Sequence, residues 1–98
     1  MIGRRIYPDE DGYLHFAPGD YGLSREGIWQ ARPPTVEVPG LEKQQHPLVG
    51  SLESHTVTEH EDGTISVDPS IEINYSWGDP PVQIHWHGFL EKGVWRLA

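Results

Sequence analysis

Two stretches decide the fold of this chain: Ile71-Glu-Ile-Asn-Tyr-Ser-Trp77 and Val82-Gln-Ile-His-Trp-His-Gly-Phe-Leu-Glu-Lys-Gly-Val-Trp95, joined by Gly78-Asp-Pro-Pro81. Side chains along a strand alternate between faces. Ile71, Ile73, Tyr75 and Trp77 therefore share one face of the first segment, and Val82, Ile84 and Trp86 share one face of the second. The turn residues between them predict that the chain doubles back. With Trp77 opposite Val82, antiparallel counting sets Tyr75 against Ile84 and Ile73 against Trp86 on the apolar side. On the polar side Ser76 faces Gln83, Asn74 faces His85 and Glu72 faces His87. After Leu90-Glu-Lys-Gly93, the segment Val94-Trp-Arg-Leu97 runs back as the last strand.

Toward the N-terminus, Thr56–His60 and Thr64–Val67 flank Glu61-Asp-Gly63. Asp-Gly between β-branched runs predicts a hairpin, because glycine accepts the positive φ of the turn. Asp68-Pro-Ser70 is expected to end the Thr64–Val67 strand. Tyr13-Leu-His-Phe16, between Pro8–Gly12 and Pro18-Gly19, reads as a short first strand. Residues 20–31 read as a loop with a short strand at Ile28-Trp-Gln30, since Gly22 and Gly27 would each cost a helix about 1 kcal/mol. Thr35-Val-Glu-Val38, bounded by prolines, suits an edge strand, and Leu41–Gln45 suits one helical turn stopped by Pro47. Residues 1–11 are expected to fray and residues 39–53 to be loop-rich. No repeat, heptad or linker divides the chain. The prediction is an all-β protein with one domain over residues 1–98, built as a small antiparallel sheet, sandwich or partly open barrel with long Pro/Gly-rich loops and little helix.

Composition agrees with that size of core. A chain of 98 residues buries roughly two-thirds of the surface it exposes when unfolded. The apolar share is 36%, below the usual 45–50% or so, so four Trp, four Tyr and two Phe must carry much of the packing. Cysteine is absent, which excludes disulfides, thiolate zinc sites and a cysteine nucleophile. No signal-peptide pattern and no apolar run long enough to span a bilayer is found, and the expected location is the cytoplasm, with no membrane partner. Asn74-Tyr-Ser76 matches a glycosylation sequon, read as coincidence without a secretion signal.

The formal net charge is −8, the wrong sign for attraction to phosphate backbones. Nucleic-acid binding is not expected. Residues 1–49 hold seven acids and five bases, and residues 50–98 hold eight acids and two bases, giving −2 and −6. A surface of this sign suits docking on a basic macromolecule.

His85 and His87, two apart on one strand face, are candidate ligands for a divalent metal such as zinc, with Glu72 as the third group. The competing interpretation is a solvated polar face helped by a His87–Glu72 contact. His55 and His60 read as solvated hairpin residues, His15 as a partly buried histidine of the first strand, and His46 has no assigned role. Trp77, Trp86 and Trp95 either line a protein-binding groove or fill the core. Ser24 in Gly22-Leu-Ser-Arg-Glu-Gly27 lacks nucleophile-elbow spacing, and neither a phosphate-cradling glycine loop nor a His-Glu-x-x-His motif occurs. No catalytic residue and no other cofactor site is assigned.

Glu61-Asp-Gly-Thr-Ile-Ser-Val-Asp-Pro-Ser-Ile71 and Trp86-His-Gly-Phe-Leu-Glu-Lys-Gly-Val-Trp95 resemble a family of small uncharacterised bacterial and bacteriophage proteins. Its members share D-G-T-x-x-x-x-P-S-I and a terminal H-G-[FY]-L-x-x-G-V-W. The similarity covers roughly the last half of the chain, and Tyr13–Gly22 is like the family's start more loosely. Relatives carry cysteines near that start and before the terminal histidine, which implies a zinc site. This chain has Ala17-Pro-Gly-Asp20 and Ile84-His85 there, so His87 alone matches the implied ligands. The resemblance implies a phage-type accessory protein. The leading expectation is a non-enzymatic protein, monomer or homodimer, that binds a host or phage protein. The alternatives are a histidine-based metal protein, with hydrolysis as the activity it could carry, and a minor virion component.

Overall fold

The computed structural model describes residues 1–34 and 48–98. The expected edge strand Thr35–Val38, the helical turn Leu41–Gln45 and His46 lie outside these residues. Eight strands occur in chain order: β1 (Arg4–Arg5), β2 (Asp20–Leu23), β3 (Trp29–Ala31), β4 (Gly50–Ser51), β5 (Thr56–Glu59), β6 (Ile65–Trp77), β7 (Val82–Glu91) and β8 (Val94–Leu97). Among the described residues there is no α-helix, and so no helix long and apolar enough to cross a membrane. The protein is all-β. Two four-stranded sheets have the orders β1-β2-β3-β4 and β5-β6-β7-β8, and neither closes into a barrel.

The β6–β7 register follows from alternation. Trp77 pairs with Val82, Tyr75 with Ile84, Ile73 with Trp86, Asn74 with His85 and Glu72 with His87. The β5–β6 hairpin forms around Gly63, whose φ is +85°. Residues 68–70 do not end the strand as expected. β6 passes through them, and its pairing with β7 shifts register between Val67 and Ile71.

The first sheet departs further from expectation. Tyr13–Phe16 is irregular, because its backbone bonds locally. Tyr13 N–H donates to the Asp9 carboxylate at 2.9 Å, and Asp9 N–H donates to the Tyr13 carbonyl at 2.9 Å. The strand lies instead at Asp20–Leu23, antiparallel to Trp29–Ala31, so Ile28 falls just outside β3. Gly22 suits β2 through a close approach: a Cβ there would sit 2.8 Å from the Ile6 carbonyl oxygen. The sheet is mixed, since β1 runs parallel to β2. The long connection from Arg5 to Asp20 permits this, and Arg4 clamps it with two hydrogen bonds to the buried Asp20 carboxylate, 2.8 and 3.2 Å. Residues 1–11 are likewise tied down. Gly3 N–H donates to the Gly93 carbonyl, Trp95 N–H to the Met1 carbonyl, and Ile2 bridges Val94 along the outer side of β8.

The two sheets share one interior. Tyr21, Ala31 and Leu52 from the first half pack with Ile65, Val67, Ile71, Trp86, Leu90 and Trp95 from the second. Ile65 and Leu90 are fully buried, and each such side chain stabilises the fold by roughly 1.5–3 kcal/mol. Trp86 meets Trp95 edge-on at 5.3 Å. Gly88 makes room for this pair, because a Cβ there would lie 2.6 Å from the Trp86 ring and 2.2 Å from the Arg96 carbonyl oxygen. A smaller cluster joins Leu48 to Ile73 and Ile84, with Tyr75 and Trp77 packed against it.

Candidate functional site

The polar face of β6–β7 carries the expected residues in the expected register, with different partners. Glu72 lies opposite His87, yet it accepts a hydrogen bond from His85 Nε2 at 3.0 Å. That bond holds the Glu72 carboxyl below the usual carboxylate range. His87 turns to Ser70 instead, with Nε2 2.8 Å from Ser70 Oγ. Next along, Gln83 donates to Asn74. His55 is half-buried rather than solvated, and its Nε2 donates to the Ser70 carbonyl at 3.1 Å. The displaced segment 68–70 is thus held from both sides, by His55 and by His87. His60 is also half-buried, 2.8 Å from Ser66 Oγ. His15, expected to be partly buried, is exposed and pairs with Asp9 at 2.7 Å. Among the described residues, no group of three or more His, Asp and Glu is placed to hold a metal ion. Ser70 and His87 stand at the distance of a nucleophile and its base. Among the described residues no carboxylate bonds His87, so the third member of such a triad is missing.

The tryptophans divide. Trp86 and Trp95 are 7% and 3% exposed and belong to the core, not to a groove. The alternation that points Ile71 and Ile73 inward takes Trp86 with them. Trp77 is half-buried near the hairpin tip, stacked on Tyr75 at 6.5 Å.

A concave feature lies elsewhere. A cleft of about 670 Å³ opens between the loop at Gly12–Phe16 and one face of the first sheet. Tyr13, Leu14, Phe16, Ile28 and Val49 supply its apolar surface, and Ser24, Glu26, Gln30 and Ser51 its polar groups. Local bonding builds both walls. The Asp9 carboxylate accepts N–H bonds from Asp11 and Tyr13, and Gly12 takes a φ of +89°, so the chain curls and sends Tyr13–Phe16 across the sheet. Opposite, Ser24 closes the β2–β3 turn: its backbone pairs with Ile28, and its Oγ accepts Ile28 N–H at 3.1 Å. This turn sets Ile28 and Glu26 at the cleft. Arg25 lies over Gly12, where a Cβ would come within 2.5 Å of its guanidinium. A second hollow of about 310 Å³ lies at His60, Glu61, Asp62, Thr64 and Lys92.

Comparison with protein-family models, curated proteins and solved structures finds no match. The cleft escapes a reading of the linear sequence because its walls meet only through the β2–β3–β4 pairing. One signal does point to it: Tyr13-Leu-His-Phe16 is apolar, bounded by turns on both sides, and has no alternating neighbour to pair with.

Proposed function

We propose that this chain is a non-catalytic binding protein, a phage-type accessory factor that acts in the bacterial cytoplasm on a host or phage protein. The cleft beside Tyr13, Leu14 and Ile28 carries the reading. Its volume of about 670 Å³ falls in the range of small-molecule pockets, roughly 300–1,000 Å³, which is room for an anchoring side chain of a partner, and it pairs apolar walls with a few polar groups. On the β6–β7 face His87 is bonded to Ser70 and His85 to Glu72, away from the cleft. Capture from infected-cell lysate tests the proposal. A specific protein retained by wild type and lost with a folded Ile28→Asp variant supports it, and equal retention by both removes the cleft from the interaction.

A histidine-based metal protein is the competing proposal, with the Glu72–His85 contact in its favour. One equivalent of zinc in purified protein, lost with His85→Ala, would put that reading ahead. A minor virion component is a third, decided by mass spectrometry of purified particles.

A further inference from the structure

We infer that the cleft receives an extended, basic segment of a protein partner, which adds as a strand to β4 and seats a bulky apolar side chain between Tyr13, Leu14, Ile28 and Val49. The inference rests on the binding reading above and specifies its occupant.

Three observations on one side of the molecule carry it. The first is the sheet edge. β4 ends the order β1-β2-β3-β4, and among the described residues its only strand partner is β3, through Gly50–Ala31 and Ser51–Gln30. A sheet edge presents unpaired N–H and C=O groups that an incoming strand can take up. The second is the position of the cleft relative to that edge. Ser51 of β4 and the adjoining Val49 both line it, so a segment paired to the edge carries a side chain to the apolar walls. Main-chain pairing gives such a mode its affinity, and the pocket gives its specificity.

The third is charge. Glu26 lines the cleft, and Asp9, Glu10 and Asp11 stand in the turn that leads into its Gly12–Tyr13 wall. All four are exposed. Of the described bases in this half, Arg4 is committed to Asp20, Arg5 to Glu59 and Gly63, and Arg32 is buried with a bond to the Phe16 carbonyl. Arg25 is the cation left at the rim, and His15 is paired with Asp9. Among the described residues the rim is therefore net negative, with Glu10, Asp11 and Glu26 set against Arg25 and with Asp9 paired to His15. It attracts Lys and Arg beside the anchoring side chain and repels acidic segments, phosphates included.

The test uses the whole protein and three fluorescein-labelled peptides, Lys-Lys-Ser-Leu-Ser-Lys-Lys and its counterparts with glutamate or serine in place of lysine. Anisotropy should rise with the basic peptide alone, and its affinity should fall as salt increases. The double variant Glu10→Lys/Glu26→Lys alters two exposed positions and should weaken that binding about tenfold or more. Ser51 is the β4 residue whose N–H points away from β3, since Leu52 N–H bonds the Trp29 carbonyl and pairs alternate along the ladder, and its amide exchange should slow when the basic peptide is bound. Equal binding of all three peptides, or unchanged binding by the double variant, overturns the charge selection. Binding that leaves the Ser51 amide unprotected overturns strand addition. If no peptide binds while lysate capture still depends on Ile28, this occupant is wrong and the binding reading stands. If both fail, both fall.

Discussion

The Trp95 indole N–H donates to the Gly19 carbonyl at 2.8 Å, joining residues 76 positions apart in the buried interior. Gly3 packs against this bond so closely that a Cβ on it would lie 2.7 Å from both atoms. Trp95→Phe removes the donor and part of the ring, and should destabilise the protein by about 1–3 kcal/mol. Urea unfolding followed by circular dichroism measures this, and a midpoint equal to wild type would contradict it.

Gly88→Ala should be costly and Gly50→Ala nearly neutral. A Cβ at residue 88 collides with the Trp86 ring and with the Arg96 backbone, whereas at residue 50 its nearest neighbour among the described residues is the Ala31 oxygen at 4.0 Å. The first should cost about 1–3 kcal/mol, and the second should stay within about 0.5 kcal/mol. Paired thermal melts decide.

Arg5→Lys should be poorly tolerated. The guanidinium sits 4.8 Å from the centroids of both Tyr7 and Trp29 while donating to Glu59 at 2.8 Å and to the Gly63 carbonyl at 2.9 Å. It thereby fastens the first sheet to the β5–β6 turn. Lysine keeps the charge but cannot reproduce the planar fork or the stacking. The expected loss is about 1–2 kcal/mol, measured by denaturant titration.

Stability should fall in acid through three carboxylates. Asp9 is held below its ordinary value by its bond to His15 and then by the Tyr13 N–H. Asp62 is held low by the Thr64 hydroxyl and N–H, and Glu72 by His85. Each binds its proton more weakly folded than unfolded. Their contribution is present above the unfolded carboxyl range, near pH 4, and disappears as pH drops through the lowered folded values. Asp62→Asn should flatten the acid limb of a melting-temperature profile. Burial raises Tyr21, so its contribution persists below about pH 10 and is lost as pH climbs through the raised value. Tyr21→Phe should remove that alkaline limb.

How far the chain could be read without coordinates depended on the range of the forces involved. Ile71–Trp77 and Val82–Trp86 carry alternation strong enough to set their own register, and the turn between them is marked by Gly78 and two prolines. Asp20–Leu23 carries no such mark. Aspartate and glycine are poor strand formers, and what places them in β2 is the Arg4–Asp20 clamp and the approach of Ile6 to Gly22, both non-local. Tyr13–Phe16 misleads for the opposite reason: its composition suits a strand, but Asp9 takes its backbone bonds. On the outer face of β6–β7 the residues and their register were predictable, and the side-chain choices were not. Glu72 selects the diagonal His85 over the facing His87, and His87 is drawn to Ser70 by the register shift at 68–70.

Each sheet gathers its strands from one half of the chain, while the interior belongs to both halves together. Ladder formation and desolvation are thus assigned to different separations along the polymer. Hairpins can zip up among near neighbours at small entropic cost, yet neither half owns a dry side until it meets the other. Denaturation should accordingly be a single event, with both halves lost at one temperature.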